Sequence, residues 1–199
     1  MGRRDDIVNN AYWWSAYGNF KASMADLRYI CDTAVKPEQG RNAGMPTDDD
    51  LRKSLKEDYG IYFGTQIKQW CGIFCCMLLR EAGLDVHWTL ANLKQDPKHP
   101  EKTNWAVDQD ATMTTAGHMY NSSGKYVKLI WGRTGIQAGD VGIIPAANHH
   151  FLITGVDYAA KKYTTLEGNT TGQVIKTGLR SFSPTSAGQT IAAFYQIQG

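Results

Sequence analysis

The chain lacks any apolar run long enough to cross a membrane. Its longest uncharged apolar stretch, residues 70–79, is half of the roughly 20 residues that a membrane-spanning helix needs. We therefore expect no integral membrane segment. The chain also lacks the pattern of an export signal, because the arginines near its start are followed by Asp5 and Asp6 rather than by an apolar region. We expect synthesis in the cytoplasm without a signal peptide.

The chain lacks a charge excess of either sign. Its 21 Lys and Arg residues face 19 Asp and Glu residues, which gives a formal net charge of +2, and the basic residues are scattered along the sequence. Proteins that follow nucleic-acid phosphates need a clustered basic face, so we expect no nucleic-acid partner. With 199 residues and 42% hydrophobic side chains, the chain is typical of one globular domain with an accessory segment.

Cysteine is scarce, and its placement argues against the usual disulfide and zinc frameworks. Three of the four cysteines fall within residues 71–76, which is a poor spacing for a set of disulfides. The sequence has no C-x-x-C pair and no H-E-x-x-H helix. A metal cluster of Cys75 and Cys76 with His149 and His150 would use adjacent residues as ligands, which strains a tetrahedral site. We expect no metal and no other cofactor.

The first part of the chain has helical periodicity. Apolar side chains recur at three- and four-residue steps through residues 7–35, with a break near Gly18, which predicts an amphipathic helix or a pair of helices. A loop is predicted over residues 35–50, and a short helix over residues 51–59. Residues 70–83 begin with ten residues that are apolar on nearly every face and end in glycine, which predicts a buried central helix.

The second part of the chain changes to strand patterns. Residues 89–115 are polar, which predicts an insertion that runs over the surface. Beyond it, apolar and β-branched runs separated by Gly, Pro, Asn or Asp predict strands at residues 126–130, 139–144, 149–154, 163–167 and 190–197. Helices followed by a meandering antiparallel sheet indicate an α+β fold.

One cysteine has the setting of a nucleophile. Cys71 lies at the predicted start of the buried helix, where the helix dipole lowers the pKa of a thiol. A base can come from His149 or His150 at the start of a predicted strand, and side-chain alternation leads us to expect that only one of the two faces Cys71. Glu167 and Asn169, at the end of the next strand, are placed to orient the imidazole.

Four separated motifs follow one another between residues 60 and 197. They are Trp70-Cys71-Gly72-Ile73-Phe74, then Gly139-Asp140-Val141, then His149 before Leu152-Ile153-Thr154-Gly155-Val156-Asp157, and finally Leu166-Glu167-Gly168-Asn169-Thr170. Together they resemble the CHAP amidase family and its NlpC/P60 relatives, papain-like enzymes that cut amide bonds in bacterial peptidoglycan. The resemblance implies a papain-like fold with the nucleophile helix packed on an antiparallel sheet. It also implies a catalytic domain of residues 60–199 that carries the polar insertion, with a helical N-terminal segment of residues 1–59 packed on it.

The resemblance implies a role for each motif residue. Cys71 would be the nucleophile, His149 the general base and acid, Glu167 the residue that orients the imidazole, and Asn169 an auxiliary polar partner. A shift of one residue in the alignment would exchange His149 for His150. The expected substrate-binding or oxyanion residues are Trp70 and His150 with Gln69 and Gln66, between which the choice stays open.

Other residues with reactive side chains are expected to be structural. Asp140 follows a glycine before a strand, which favours a hydrogen-bonding role in the turn. Cys75 and Cys76 are expected in the core, and Cys31 has no assigned role. Phe151 occupies a position where the family usually has a small residue, and we expect it to alter the packing against the nucleophile helix or to block part of the groove.

These features predict a cysteine hydrolase that acts on peptidoglycan as a monomer. The bond is either the amide between muramic acid and L-alanine or one within the stem peptide. Without an export signal, the enzyme would reach the periplasm or cell wall as an antibacterial effector, for example of a type VI secretion system, or as a phage lysin. An effector would have a cognate immunity protein as its partner. Two alternatives are a cysteine peptidase or acyltransferase toxin that acts on proteins, and a catalytically degenerate wall-binding module.

Overall fold

The computed structural model describes residues 3–16, 18–35, 53, 55, 70–89, 118–120, 126–144, 149–170, 174–183 and 190–198. In these parts of the chain it has the helices α1 (Arg3–Ser15), α2 (Met24–Val35) and α3 (Cys71–Glu81). The strands are β1 (Phe20–Lys21), β2 (His87–Thr89), β3 (His118–Tyr120), β4 (Val127–Trp131), β5 (Val141–Ile144), β6 (His149–Asp157), β7 (Lys162–Thr170), β8 (Val174–Ser181) and β9 (Ala193–Ile197).

The N-terminal helical pattern forms a pair of helices. The chain leaves α1 through Gly18, whose φ of 71° favours glycine, and this confirms the predicted break. Before α2, the hydroxyl of Ser23 accepts a hydrogen bond from the Asp26 N–H, and the Asp26 carboxylate accepts one from the Ser23 N–H. This reciprocal arrangement satisfies N–H groups at the helix start and fixes where α2 begins.

The strands form a seven-stranded antiparallel sheet in the order β1-β8-β7-β6-β5-β9-β4, and β2 pairs with β3 in a separate two-stranded sheet. The predicted α+β class is confirmed, and each predicted strand has its counterpart in β4, β5, β6, β7 or β9. Residues 53 and 55, the described part of the predicted helix over residues 51–59, are helical. The domain boundary near residue 60 and nearly all of the insertion over residues 89–115 lie outside the described residues.

The sequence reading missed strand β8. Its side chains alternate between Lys176, Gly178 and Arg180 on one face and residues such as Ile175 and Leu179 on the other, so neither face is continuously apolar. Leu179 is 63% exposed, and the apolar alternation that predicts a half-buried strand is therefore absent. Pairing with β7 along its length, rather than local pattern, holds this segment in the sheet.

Helix α3 lies at the centre of the main core. All residues from Cys71 to Leu79 are buried, as the apolar pattern predicts. The core between the helices and the sheet contains Leu152 and Leu166, which pair across β6 and β7, while the opposite sheet face carries a second apolar cluster with Phe151 and Ile153. No helix in the described part of the chain is long and apolar enough to cross a membrane.

Helix α1 is anchored to one end of the sheet by Arg4. Its guanidinium donates to the Asp140 carboxylate at 2.6 Å and to the carbonyls of Ala138 and Ile197. The Asp140 carboxylate also accepts from the N–H groups of Gln137 and Ile197. Asp140 therefore links the turn before β5, the last strand and the first helix, in keeping with the structural role expected from the sequence.

Candidate active site

Cys71 is the first residue of α3. Trp70 precedes the helix with φ of −103°, and its carbonyl accepts the hydrogen bond of the Phe74 N–H at 2.9 Å. Strand β7 approaches this helix start closely at Gly168, where a Cβ atom would lie 2.8 Å from both Trp70 and Phe74. The glycine of the fourth motif therefore allows helix α3 and the strand that carries Glu167 to meet.

The thiol of Cys71 lies within hydrogen-bonding reach of two imidazoles, those of His149 and His150. The expectation that only one of them faces Cys71 is therefore wrong. His149 is the first residue of β6, so the thiol lies at the end of the strand, where side chains from both sheet faces can reach it. The backbone N–H of His150 also donates to the Cys71 sulfur at 3.4 Å.

These contacts change the ionisation of Cys71. Burial raises the pKa of the thiol, but hydrogen bonds with His149 and His150 and the positive charges of the two imidazoles lower it more, to about 6. Such a thiol is largely the nucleophilic thiolate near neutral pH. Burial instead raises the pKa of Cys31, Cys75 and Cys76, which makes them inert core thiols.

His149 is oriented by Glu167. The Nε2 atom of His149 lies 3.0 Å from the Oε2 atom of Glu167. Burial raises the pKa of Glu167, but hydrogen bonds with His149 and Arg180 lower it to about 2. An ionised carboxylate only accepts hydrogen bonds, so Nε2 of His149 carries a proton and Nδ1 is the atom left to exchange a proton with the thiol.

The ionisation of His149 complements that of the thiol. Burial lowers the pKa of the imidazole, but its hydrogen bonds with Cys71 and Glu167 raise it above the ordinary 6.5. A thiol with lowered pKa beside an imidazole with raised pKa favours the thiolate–imidazolium form of the pair. This arrangement can attack a carbonyl carbon and supply a proton to the leaving group.

The Glu167 carboxylate has further partners that the sequence analysis missed. Arg180 donates to both carboxylate oxygens, and the Thr165 hydroxyl donates to Oε1 at 2.7 Å. Opposite them, Gly178 leaves the space that the carboxylate fills, since a Cβ atom there would lie 2.5 Å from Oε1. Arg180 and Gly178 belong to β8, so they could have been found only by predicting that strand and its pairing with β7.

Phe151 does not pack against helix α3. It is fully buried in the second apolar cluster, on the sheet face opposite α3, with the Arg180 guanidinium 4.4 Å above its ring. Its register partner is Gly142, whose missing side chain makes room for the ring. The large side chain at this position therefore packs against the Arg180 guanidinium, and its ring centroid lies 5.8 Å from that of His149.

The remaining predicted site residues lie around this centre. Asn169 has a left-handed backbone, with φ of 56°, in an irregular part of the β7–β8 pairing, and among the described residues its side chain makes no hydrogen bond to His149 or Glu167. Trp70 is fully buried against Phe74, and its indole N–H has no hydrogen-bond partner within the described residues. Gln66 and Gln69 lie outside the described residues.

His150 has surroundings different from those of His149. Its ring lies edge-on to Trp88 at 5.2 Å and stacks near Tyr195, and the residue is 2% exposed. The carboxylate of the site bonds His149 rather than His150. This geometry favours His149 as the proton-transfer residue, and the contact of His150 with substrate stays a prediction.

Metal chemistry has no candidate ligand set in the described residues, because no group of three or more His, Cys, Asp or Glu side chains there could hold an ion.

No protein-family model, no curated protein and no solved structure matches this chain.

Proposed function

We propose that this protein is a papain-like cysteine hydrolase that cleaves amide bonds in bacterial peptidoglycan. The observation that carries the proposal is the arrangement of Cys71, His149 and Glu167 at the start of a buried helix. The lowered pKa of the Cys71 thiol supports catalysis over a degenerate binding module, which would have no need of an activated thiol. The choice of peptidoglycan rests on the resemblance of the four motifs to CHAP and NlpC/P60 enzymes.

The first half of the proposed reaction forms a thioester. The Cys71 thiolate attacks the carbonyl carbon of the amide, and the carbonyl oxygen becomes an oxyanion. The His149 imidazolium gives its Nδ1 proton to the amide nitrogen as the carbon–nitrogen bond breaks. The amine leaves, and the acyl group stays on the Cys71 sulfur.

The second half returns the enzyme to its starting state. Neutral His149 accepts a proton from a water molecule, whose oxygen attacks the thioester carbonyl. The carbon–sulfur bond breaks, the carboxylic acid product leaves, and the thiolate–imidazolium pair forms again. Throughout, Glu167 accepts the hydrogen bond of Nε2 and keeps Nδ1 directed at the reacting atoms.

The start of α3 supplies the proposed oxyanion site. N–H groups in the first turn of a helix have no acceptor within the helix and carry its positive dipole end. Cys71 occupies this turn, so an oxyanion formed beside its sulfur lies next to these donors. Gln66 or Gln69 remains the proposed source of the second donor.

The proposal places the reaction in the cell wall or periplasm. Delivery would occur through a secretion apparatus, with a cognate immunity protein as partner, or through phage lysis. The bond cleaved is the amide between muramic acid and L-alanine or one within the stem peptide, and the two possibilities differ in the new amino terminus that the product carries.

Digestion of purified Gram-negative sacculi, followed by mass spectrometry of the soluble products, tests the proposal and identifies the bond. We expect fragments with a single type of new terminus from the wild type and none from folded Cys71→Ala or His149→Ala. Cleavage of a protein substrate with intact sacculi would instead favour the protein-directed toxin. Sacculus binding without turnover, with an unreactive Cys71, would favour the wall-binding module.

A further inference from the structure

Strand β8 contributes an arginine to the candidate active site. We propose that Arg180 is a positioning residue that neutralises Glu167, so that Glu167 orients His149 without binding its proton too tightly for transfer to the leaving amine. This inference rests on the proposed role of His149 as general acid. Arg180 lies outside the four sequence motifs.

The contacts of the carboxylate support this assignment. Arg180 donates from Nε to Oε1 of Glu167 at 2.8 Å and from Nη2 to Oε2 at 2.7 Å, so the guanidinium binds the carboxylate through two parallel hydrogen bonds. Thr165 donates to Oε1, and His149 lies at Oε2. Each oxygen therefore has two partners, and the carboxylate has a single orientation.

The guanidinium of Arg180 packs against an aromatic ring. It lies over the buried ring of Phe151, with its central carbon 4.4 Å from the ring centroid. On its own strand, Gly178 keeps the space beside the carboxylate clear of any side chain. The side chain of Arg180 is only 18% exposed, so water screens its charge weakly.

The charge balance decides how strongly His149 holds its proton. A buried carboxylate without a counterion would stabilise the imidazolium and make it a weaker acid. The adjacent guanidinium offsets this effect while leaving the hydrogen bond to Nε2 intact. Glu167 thus orients His149, while the Glu167–Arg180 pair presents little net charge to the imidazole.

Several other ionisable groups surround His149, and a test has to separate Arg180 from them. The charged or titratable groups on the described elements packed around it are Cys71 and Cys75 on α3, His150 on β6, Glu167 on β7, and Arg180 and Lys176 on β8. The thiolate of Cys71 is the strongest competing influence, and the Cys71→Ala background removes it.

The test is an NMR titration of the His149 ring in Cys71→Ala protein, with its resonance identified by loss in His149→Asn. We expect Arg180→Met to raise the midpoint by about one pH unit or more, because the carboxylate loses its counterion. Arg180→Lys keeps the charge and should stay near the parental midpoint. Glu167→Gln alone should lower the midpoint, and Glu167→Gln combined with Arg180→Met, which leaves no charge at either position, should return it near the parental value.

An unchanged or lowered midpoint in folded Arg180→Met would overturn the inference, as would a double variant that keeps the raised midpoint. Circular dichroism establishes folding, and Arg180→Gln replaces Arg180→Met if that variant does not fold. The titration needs no substrate, so it is independent of the proposed function. If the wild type cleaves sacculi but Arg180→Met does not raise the His149 midpoint, only this inference fails. If Arg180→Met raises the midpoint but the wild type leaves sacculi intact, only the peptidoglycan assignment fails.

Discussion

At the scale of single residues, Cys71 and Cys75 show how neighbours rather than burial set the reactivity of a thiol. The two cysteines lie one turn apart on α3 and are both buried. Burial raises the pKa of both thiols, yet the net pKa of Cys71 is lowered to about 6, while that of Cys75 is raised well above its ordinary value. The difference arises because the imidazoles of His149 and His150 reach only the first of them.

This difference predicts selective alkylation of Cys71. Its thiolate forms as the pH rises through about 6, so the rate of reaction with iodoacetamide should rise with a midpoint near pH 6. Mass-spectrometric mapping of the alkylated peptides over a pH series measures this midpoint for each cysteine. Cys31, Cys75 and Cys76 should stay unmodified in the folded protein.

The control for this measurement is His149→Asn, which removes one imidazole and keeps a polar side chain of similar size. Its Cys71 midpoint should lie above that of the wild type. A wild-type midpoint near 8.5, the ordinary value for a thiol, would show that the imidazoles do not activate Cys71.

At the scale of elements, local pattern predicted the parts of the site that lie on strongly apolar segments. Helix α3 and the strands of His149 and Glu167 were predictable because burial leaves a continuous apolar or alternating signal in the sequence. Strand β8 leaves no such signal, because Lys176, Gly178 and Arg180 line one of its faces. The role of Arg180 depends on its pairing with β7, which is a long-range property that neighbouring residues do not encode.

Strand ends were a second source of error. Alternation correctly separates the Phe151 face of β6 from the Leu152 face, and these residues do lie in different apolar clusters. The rule fails for His149 and His150 because β6 begins at His149, and the thiol is approached around the end of the strand. The resemblance to a known family supplied the preference for His149 that alternation could not.

The β7–β8 pairing predicts a specific effect of Gly178→Ala. The added methyl group would lie 2.5 Å from both Glu167 Oε1 and Thr165 Oγ1, so the carboxylate must move away from its present position. We expect the hydrolysis rate to fall by about tenfold or more, since misplaced catalytic groups cost up to about a hundredfold. Rates on sacculi and the histidine titration of the variant measure the effect.

Leu179→Ala is the matched control on the same strand. Leu179 points to the other face of β8 and is 63% exposed, so its truncation should leave the rate close to that of the wild type. Equal rates for Gly178→Ala and wild type would show that the position of the Glu167 carboxylate does not limit the reaction.

At the scale of the whole molecule, the candidate site joins the two faces of the sheet. Cys71 comes from the helical layer, whereas Glu167 and Arg180 lie on the face that carries Phe151 and the second apolar cluster. His149, at the end of β6, connects the two sides. The geometry of the site therefore depends on both apolar clusters being intact.

The anchoring of α1 predicts that loss of the Arg4 side chain strongly destabilises the fold. Arg4→Ala leaves the fully buried Asp140 carboxylate without its counterion and removes three hydrogen bonds. We expect the free energy of unfolding to fall by about 2–3 kcal/mol. Urea unfolding followed by circular dichroism measures the change.

Arg3→Ala is the control for this variant. Arg3 lies over the Tyr126 ring and donates one hydrogen bond, to the Gln198 carbonyl, so its loss should cost about 1 kcal/mol or less. A smaller effect for Arg4→Ala than for Arg3→Ala would contradict the anchoring role of Arg4.

The most direct test of the central claim is the release of new amino groups from purified sacculi by four proteins measured side by side. These are the wild type, Cys71→Ala, His149→Ala and Cys31→Ala, the last being a matched loss of a buried thiol on α2. We predict release by the wild type and by folded Cys31→Ala, and none above background by the other two. Undiminished release by folded Cys71→Ala would contradict the claim that this thiol is the nucleophile.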